Sequence, residues 1–340
     1  MKNIPESNNP PIIFPRQPEL KQVLFIIPVF NDWVSFITLL ENLDQALNNQ
    51  GICAEILAVD DASIIPVNDK VYQLNLIAIK WVNVLKLKRN LGHQRAITIG
   101  LAYAEANCSA DMVVVMDSDG EDTPEDVIRL IYACTEANYA KIVFARRSQR
   151  SESWLFKFFY RAYCFSYRLL TGFDIRVGNF SAIPFKMMPR LLAVSEIWNH
   201  YAAGILKSKL PHFDIPTRRG YRYHGKSTMN FTSLVIHGLS AISVHGETVG
   251  VRLLMVSFGL MGFITTILLT VIGIRLMTNL AIPGWASYVA VALFSVILQV
   301  FIISLSFIFL VLIGRNNTSF LPKRDYHHFV LTLEEIFSKT

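Results

Sequence analysis

The sequence carries little charge for its length. Lys, Arg, Asp and Glu make up 17% of the 340 residues, whereas a soluble globular domain usually carries about 25%. The deficit is local, because Arg275 is the only charged residue between Leu253 and Gly314. The remainder has an ordinary charge density. This division indicates a soluble domain joined to a membrane segment, and it argues against a disordered chain, a fibrous chain or a polytopic transporter.

Cysteine is scarce, and an apolar run near residue 1 is missing. The cysteines lie inside apolar stretches without a Cys-x-x-Cys pair, at positions 53, 108, 134 and 164. This spacing excludes a small disulfide scaffold and favours buried thiols in a reducing compartment. Residues 1–20 contain five prolines and no apolar run. They do not resemble a secretory signal, and we expect a disordered leader there.

Short apolar runs rich in β-branched residues alternate with stretches of helical periodicity from residue 21 to residue 147. Such alternation predicts an α/β fold, in which a mostly parallel sheet is covered by helices on both faces. Thr123 followed by Pro124 marks the start of one helix, as a favoured N-cap and a favoured first residue. We expect the soluble domain to span residues 21–226, with strands at 23–30, 52–59, 79–87, 112–116 and 141–145.

Two uncharged runs near the C-terminus are long enough to cross a membrane. Residues 253–274 would form a helix of about 33 Å, and residues 286–313 would form a longer one. The link between them is too short for a domain, so we predict an antiparallel transmembrane hairpin. Residues 314–340 are then predicted to be a cytoplasmic tail, because basic residues mark the cytoplasmic side, here Arg315, Lys323 and Arg324.

A basic aromatic segment precedes the hairpin. Residues 150–171 interleave aromatic residues with Lys157, Arg161 and Arg168 at helical spacing, which favours a helix lying in the bilayer interface. The alternative is a surface helix whose aromatic residues pack on the sheet. Residues 227–252 form a second, less polar candidate for an interfacial helix.

Polar residues collect where the predicted strands end. In an open parallel sheet, ligands bind beyond the carboxyl ends of the strands. Asp117, Asp119 and Glu121 follow the fourth strand, and this spacing suits a divalent cation that also contacts substrate phosphates. We therefore predict Mg²⁺ or Mn²⁺. The other residues at these strand ends are Pro28, Asn31, Asp32, Asp60, Asp61, Arg89, Asn90 and His93.

Other chemistries fit these residues less well. A carboxylate pair for glycoside hydrolysis remains an alternative, although carboxylates two residues apart suit one shared ion better. Residues 220–227 match the phosphate-loop pattern G-x-x-x-x-G-K-[ST]. No buried strand precedes Gly220, and the loop is bulky and cationic, so we interpret it as a basic segment. His93 could donate to a diphosphate from a helix N-terminus, or could simply cap that helix.

At this point the chain resembles a known family. The segments FIIPVFND (25–32), AVDDAS (58–63), KRNLGHQRAITIGLAYA (88–104) and VVMDSDGEDTPED (114–126) look like successive motifs of family 2 glycosyltransferases with the GT-A fold. GNF (178–180), RYHGKS (222–227) and the paired apolar runs resemble the branch that glycosylates polyprenyl phosphates. That branch includes dolichyl-phosphate mannose synthase and bactoprenol glucosyltransferase.

The resemblance implies a role for each matching residue. Asp117 and Asp119 would be catalytic and would hold the metal with Glu121, and Arg146 and Arg222 would contact phosphate groups. The nucleotide would bind at Pro28, Phe30, Asp32, Asp60, Asp61, Arg89 and His93. The acceptor phosphate would bind at Arg146, Arg147, Arg161, Arg222 and His224. The chain departs from the usual pattern at Asp32 for Glu, Ala62 for Gly, Asn179 for Asp and Thr228 for Lys.

The predicted function is a membrane-bound inverting glycosyltransferase. It would move a sugar from UDP or GDP to undecaprenyl or dolichyl phosphate at the cytoplasmic face of the inner membrane. Residues 141–176 carry a local charge of +6, which favours an anionic headgroup or, alternatively, bulk anionic lipid. A second reading is a transferase acting on a lipid-linked or polymeric saccharide, with Glu196 as its base.

A catalytically silent scaffold is a further alternative, although such a relative would be expected to lose Asp117 or Asp119. We expect no nucleic-acid partner, and we leave homo-oligomerisation open.

Overall fold

The computed structural model describes residues 22–147, 154–174, 177–225, 231–277, 284–316 and 320–339. Its centre is an eight-stranded sheet with the order β7-β5-β6-β4-β1-β2-β3-β8. The strands are β1 Val23–Val29, β2 Ala54–Asp60, β3 Ile79–Leu87, β4 Met112–Val115, β5 Ile142–Arg147, β6 Ser181–Pro184, β7 His212–Thr217 and β8 Val330–Ser338. The helices are α1 Trp33–Asn48, α2 His93–Asn107, α3 Pro124–Glu136, α4 Trp154–Thr171, α5 Met188–Leu191, α6 Tyr201–Ser208, α7 Phe231–Ser243, α8 Gly246–Met277, α9 Trp285–Asn316 and α10 Pro322–Asp325.

The sheet is mostly parallel and is buried on both faces. β1 pairs in parallel with β2 and β4, and every residue of β1 and β2 is buried. Continuous apolar strands of this kind need cover on both sides. Helices α1 and α3 pack on one face, and α2, α5 and α6 pack on the other. The fold class predicted from the sequence is therefore confirmed.

Strand β6 sets the level of the functional edge. It runs antiparallel between β4 and β5, and Ser181 pairs with both Val115 and Phe144. Because β6 runs the opposite way, Asn179, two residues before Ser181, lies at the level of Asp117 and Arg146, which come two residues after Val115 and Phe144. Adjacent strands lie about 4.8 Å apart, which separates the backbones of Asp117 and Arg146 by about 10 Å.

The C-terminal residues differ from the sequence prediction. We expected residues 314–340 to be a tail, but Val330–Ser338 forms β8 and pairs antiparallel with β3. Ile336 is 5% exposed and joins the core on the α1 face. Most of the other β8 residues remain exposed, and this one-sided burial explains why the apolar pattern is weak. Strands β6 and β7 were also missed. β4 has four residues as well, but its sequence MVVV is apolar and β-branched, whereas β6 is SAIP and β7 contains polar residues and a proline.

The segment between the hairpin and β8 docks on α2. Phe320 stacks on Trp198 with ring centroids 3.8 Å apart, and Phe329 lies 5.3 Å from the same ring. The Arg95 guanidinium covers the Trp198 ring at 5.1 Å. Lys323 pairs with Glu105 of α2 at 2.6 Å. We call residues 320–329 the aromatic clasp, because they hold the chain against the helix that begins at His93.

Helices α8 and α9 form an antiparallel pair. Both are long and apolar enough to cross a membrane, and Gly250, near the start of α8, packs against Val311, near the end of α9. Each has 32 residues, or about 48 Å of helix, which exceeds a hydrocarbon core of about 30 Å. The helices extend beyond the predicted spans at 253–274 and 286–313, and the link at 278–283 lies outside the described residues.

Helix α4 packs against α7 and α8. Tyr167 is buried in this contact, whereas Phe165 and Leu169 are 69% and 62% exposed. The Arg252 guanidinium of α8 donates to the carbonyl oxygen of Leu169 at 2.6 Å, at the C-terminal end of α4. Exposed apolar side chains on a helix beside an apolar hairpin are typical of interfacial helices, and the interfacial position of α4 stays a prediction. Residues 150–153 and 227–230 of the two predicted interfacial segments lie outside the described residues.

Candidate active site

The loop after β4 carries the two central carboxylates. Gly120 adopts a φ of +87°, which lets the chain turn between Asp119 and Glu121. The Glu121 N–H donates to Asp119 Oδ1 at 2.9 Å, and the Asp117 N–H donates to Asp122 Oδ2 at 3.0 Å. The loop ends at Thr123, whose hydroxyl oxygen accepts from Asp126 N–H as the predicted cap of α3. Asp117 and Asp119 are therefore fixed by their own turn.

Each predicted carboxylate has a cationic neighbour. His93 Nε2 lies 3.0 Å from Asp117 Oδ1, and Arg222 Nη1 lies 3.4 Å from Asp119 Oδ2. Arg222 Nη2 also lies 3.4 Å from Asp32 Oδ2. Arg219 grips Glu121 with two hydrogen bonds of 2.9 and 2.6 Å. Positive and negative side chains therefore alternate around the strand end.

The charges shift two pKa values. Burial and the adjacent charge of Asp117 raise the pKa of Asp119, while its hydrogen bond from Glu121 N–H and the charge of Arg222 oppose the shift. Burial by itself would lower the pKa of His93. The charge of Asp117 and the hydrogen bond to it, with the charges of Asp122 and Asp119, outweigh burial and raise the pKa of His93 above its ordinary value.

A basic segment lies over the carboxylate loop. The backbone N–H of Gly220 donates to the carbonyl oxygen of Glu121, and that of Tyr223 donates to the carbonyl oxygen of Asp119, both at 2.9 Å. A Cβ at Gly120 would lie 2.5 Å from the Tyr223 ring, so glycine is needed for this contact as well as for the turn. The segment that matched the phosphate-loop pattern is thus a cover for the site.

The donor set fits a divalent cation only in part. Within the described stretches of the chain, no three acidic, His or Cys side chains converge as a metal site. Glu121 is held by Arg219, which leaves Asp117 and Asp119 as carboxylates that repel each other. Two carboxylates suit Mg²⁺ or Mn²⁺, because such ions usually complete their coordination with water and substrate phosphates. Asp117 and Asp119 therefore fit the ion, whereas Glu121 does not in this arrangement.

Two clefts lie beside the carboxylates at the ends of β1 to β3. One, of about 470 Å³, is lined by Asp32, Trp33 and the loop after β2. The other, of about 280 Å³, is lined by Asp60, Lys86, Lys88 and Leu331 of β8. Asn31 joins the loops around them, because its Oδ1 accepts from the N–H groups of Ile64 and Ile65 at 2.8 and 3.0 Å. The clefts have the position expected for a nucleoside.

The predicted nucleotide residues differ in what they contact. Asp60 Oδ1 accepts from the Ser63 N–H at 2.8 Å while Asp60 also lines a cleft. Asp61 is 3% exposed and accepts from the N–H groups of Leu91 and Gly92 at 2.7 and 2.8 Å. Burial raises the pKa of Asp61 despite these bonds, and its carboxylate fixes the loop before His93. Pro28 is buried in β1, and Phe30 and Arg89 are exposed at the strand ends.

The predicted acceptor residues are more scattered. Arg146 Nε lies 2.7 Å from Asp214 Oδ2 of the neighbouring strand β7. Arg161 is exposed on α4, away from the ion pairs around Asp117. His224 is exposed, and its Nε2 lies 3.4 Å from Thr38 Oγ1 of α1. Arg147 ends β5, and its side chain is outside the described part.

Sequence reasoning missed several residues that shape the site. The sequence gives Arg219 no role beyond the charge of its segment and gives Tyr223 none beyond its place in a motif, because their contacts depend on how the chain folds back after β7. The sequence places Asn31 at a strand end, but it does not show that this side chain bonds the loop after β2, in a backbone conformation with a φ of +55° that Asn tolerates better than most residues. Gln94 donates to Asn179 Oδ1 at 3.0 Å and accepts from the Tyr201 N–H at 2.7 Å. This bridge between α2, β6 and α6 has no sequence signal.

Glu196 is held in an ion pair. Lys207 Nζ donates to Glu196 Oε1 at 2.7 Å and also to the carbonyl oxygen of Val244 at 2.8 Å. Burial alone would raise the pKa of Glu196, but the hydrogen bond and charge of Lys207, with a bond from Ser195, lower it. A carboxylate with a lowered pKa and a paired lysine is a weak general base.

The sequence comparisons with known proteins indicate the same kind of enzyme. Residues 24–222, more than half of the chain, match the model of Glycosyl transferase family 2. An uncharacterised glycosyltransferase of Bacillus subtilis is 28% identical over 180 residues, which are 52% of this chain and 53% of that protein. The chain thus spans about half the length of that relative. Undecaprenyl-phosphate 4-deoxy-4-formamido-L-arabinose transferase of Edwardsiella ictaluri is 26% identical over 299 residues, covering 81% of this chain and 82% of that protein.

Solved structures are more remote. Mannosyl-3-phosphoglycerate synthase from Rubrobacter xylanophilus has a TM-score of 0.47 at 14% identity, covering 66% of this chain and 72% of that one. Glucosyl-3-phosphoglycerate synthase from Mycobacterium tuberculosis has a TM-score of 0.46 at 13% identity, covering 67% and 80%.

Proposed function

The chain belongs to glycosyl transferase family 2, and we propose that it moves a sugar from a nucleotide diphosphate to a polyprenyl phosphate with inversion at the anomeric carbon. The donor would be a UDP- or GDP-sugar, and the acceptor undecaprenyl or dolichyl phosphate. The reaction would take place at the cytoplasmic face of the inner membrane, with the chain as a multi-pass protein.

One observation carries this proposal. The carboxylates Asp117 and Asp119 lie among His93, Arg219 and Arg222 in a domain whose chain continues into two membrane-length apolar helices. Such a site suits two anionic substrates, one of which is held by the membrane. The Edwardsiella relative supports the choice of acceptor, because its 299-residue similarity extends beyond the 199 residues of the family match and its name specifies undecaprenyl phosphate.

The chemistry needs little from a general base. A phosphate monoester has its second pKa near 6, so the acceptor oxygen is already anionic at pH 7. A sugar hydroxyl would need a base, and Glu196, the candidate that we considered, is paired with Lys207 at 2.7 Å. Because Glu196 is paired, it is a poor base for a sugar hydroxyl, and this favours a phosphate acceptor over a saccharide acceptor.

The residues of the chain would stabilise the leaving nucleotide. Asp117 and Asp119 would hold Mg²⁺ or Mn²⁺, which when bound supplies positive charge to the diphosphate. Arg222, 3.4 Å from both Asp119 and Asp32, adds a fixed cation where the diphosphate arrives. Fixed charges of this kind stabilise the transition state without reorganisation. Arg146 lies on the far side of β6, where a second phosphate could bind.

Membranes containing the protein provide the direct test. They are incubated with a panel of radiolabelled UDP- and GDP-sugars and with undecaprenyl phosphate, and the lipid extract is examined for a product from which mild acid releases the sugar. We expect one such product, with an inverted anomeric centre. Transfer to a saccharide and none to the lipid phosphate would support the runner-up, and no transfer to either would support a silent scaffold.

Three variants separate the two acceptors. Glu196→Gln should keep turnover within a few fold, because no base is needed. Arg146→Ala should reduce turnover severely, whereas Asp214→Ala, which removes the partner of Arg146 and keeps the cation, should not. An inactive Glu196→Gln enzyme with normal folding would favour the hydroxyl acceptor. Equal losses in Arg146→Ala and Asp214→Ala would show that the ion pair matters only for structure.

A further inference from the structure

Helix α7 has an exposed apolar face and an inner side that carries a histidine among apolar residues. Val235, Ile236 and Leu239 are 43%, 58% and 59% exposed. On the opposite side Ala241 and Val244 are buried and pack with Tyr167 of α4. His237 lies one turn before Ala241 and is half-buried. The helix therefore turns apolar residues outward and a histidine inward, at the point where the soluble domain meets the hairpin.

A short series of contacts leads from His237 to the carboxylates. The His237 ring lies 4.5 Å from the ring of His200, which precedes α6. The next residue, Tyr201, donates its N–H to Gln94 at 2.7 Å. Gln94 follows His93, and His93 lies 3.0 Å from Asp117. The charges of His93 and Asp117 both act on the pKa of His237, which burial lowers below its ordinary value.

The position of His237 indicates that it meets the lipid acceptor and not the nucleotide donor. The donor clefts lie at the ends of β1, β2 and β3, towards β8. His237 lines neither cleft; it contacts the His200 ring, on a helix whose outer face is apolar and whose chain continues into α8. A lipid whose tail stays in the bilayer would reach the carboxylate loop past this helix, with its headgroup at the level of His237.

We propose that His237 donates a ring N–H to the phosphate of the lipid acceptor and so positions it against the donor. This proposal rests on the function proposed above and names an acceptor residue on the interfacial helix. An imidazole is suited to the role, because its N–H donates to a phosphate oxygen and gains strength if the ring is protonated. His200 supports the ring from below. Its Nδ1 accepts from the Ala203 N–H at 3.2 Å, so its own orientation is fixed.

Binding of farnesyl phosphate and farnesol tests the proposal without turnover. Both radiolabelled lipids are titrated into the full chain in detergent micelles, and UDP and GDP binding is measured separately. His237→Phe keeps a ring against His200 but removes the donor, and His237→Gln keeps a donor of different shape. His327→Gln, at an exposed histidine between α10 and β8, is the matched control.

We expect His237→Phe to weaken farnesyl phosphate binding about tenfold or more, the usual loss for one hydrogen bond to a charged group. Farnesol binding and nucleotide binding should not change, and His237→Gln should bind farnesyl phosphate better than His237→Phe. Unchanged farnesyl phosphate binding in His237→Phe would overturn the role of His237 alone. An equal loss of nucleotide binding would also overturn it, by showing a structural role. If the unmodified protein does not prefer farnesyl phosphate to farnesol, the proposed acceptor itself is wrong.

Discussion

Asp119 is the residue at which the proposed chemistry can be tested most directly. Asp119→Asn removes a charge that would hold the metal. The amide oxygen of the asparagine can still accept the hydrogen bond from the Glu121 N–H, so the turn is kept. We expect turnover to fall about 10²- to 10³-fold, the scale of a lost electrostatic contact in a transition state. EDTA should abolish activity in the unmodified membranes, and Mg²⁺ or Mn²⁺ should restore it.

The control for Asp119 is Glu125→Gln, which removes an exposed carboxylate at the start of α3. Its turnover should match that of the unmodified enzyme. Near-normal turnover in Asp119→Asn, or full activity in EDTA, would contradict the metal assignment.

Ala62 illustrates strain at a single residue. It follows Asp60, the last residue of β2, and Asp61, with a φ of +58°, and its N–H donates to the Asp60 carbonyl oxygen at 2.8 Å. This conformation costs an alanine about 1–2 kcal/mol. Glycine would remove that strain, but it would also raise the conformational entropy of the unfolded chain, which offsets part of the gain in stability. Ala62→Gly should therefore raise the free energy of unfolding by about 0.5–1 kcal/mol.

The reverse substitution is available at a matched position. Gly51 has a φ of +65° and open space around it, so Gly51→Ala should lower the free energy of unfolding by about 1 kcal/mol through strain alone. Denaturant unfolding in detergent, followed by tryptophan fluorescence, measures both changes. A destabilised Ala62→Gly protein would show that the Ala62 side chain makes contacts that outweigh its strain.

The carboxylates of the site can be predicted from the sequence more readily than the cations that contact them. Asp117 and Asp119 are readable because an apolar strand leads directly into them, and the turn that fixes them is local. Arg219 and Arg222 are about 100 residues away along the chain, so only the folded arrangement shows which carboxylate each one meets. Asp61 shows the opposite case, in which a residue with the right place in a motif holds a backbone loop.

At the scale of elements, β8 offers the sharpest test. Ile336 is 5% exposed and Leu333, on the same strand, is 43% exposed. Ile336→Ala should lower the free energy of unfolding by about 2–3 kcal/mol, because it opens a cavity in the core. Leu333→Ala should cost well under 1 kcal/mol. Small and equal effects of Ile336→Ala and Leu333→Ala on the free energy of unfolding would show that residues 330–338 do not pack into the core.

Length and burial decide which elements can be read from the sequence. β1, β2 and β3 have seven to nine residues and strongly apolar patterns, so all were predicted. β6 has four residues and becomes a strand only because β4 and β5 bond to it on both sides. β8 lies about 250 residues after its partner β3, and no local pattern can indicate a pairing of that range.

At the scale of the whole molecule, β8 restricts how the chain can cross a membrane. The sheet contains strands from both sides of the α8–α9 pair, so those strands must share one compartment. A cysteine at position 279, in the link, should react with an impermeant maleimide from outside intact cells, and one at position 335, in β8, should not. The unmodified chain, with its native cysteines, gives the background labelling. Reaction at position 335 and none at position 279 would contradict a cytoplasmic location of the catalytic domain.

The place of β8 along the chain also affects how the protein is made. Residues 79–87 leave the ribosome long before residues 330–338, and both apolar helices emerge between them. The outer edge of β3 therefore stays without its partner strand until both apolar helices and β8 have been synthesised. Open strand edges recruit other chains. A nascent chain that stops before residue 330 thus leaves this edge open to chaperones and proteases, and the sheet is complete only when the last strand has been synthesised.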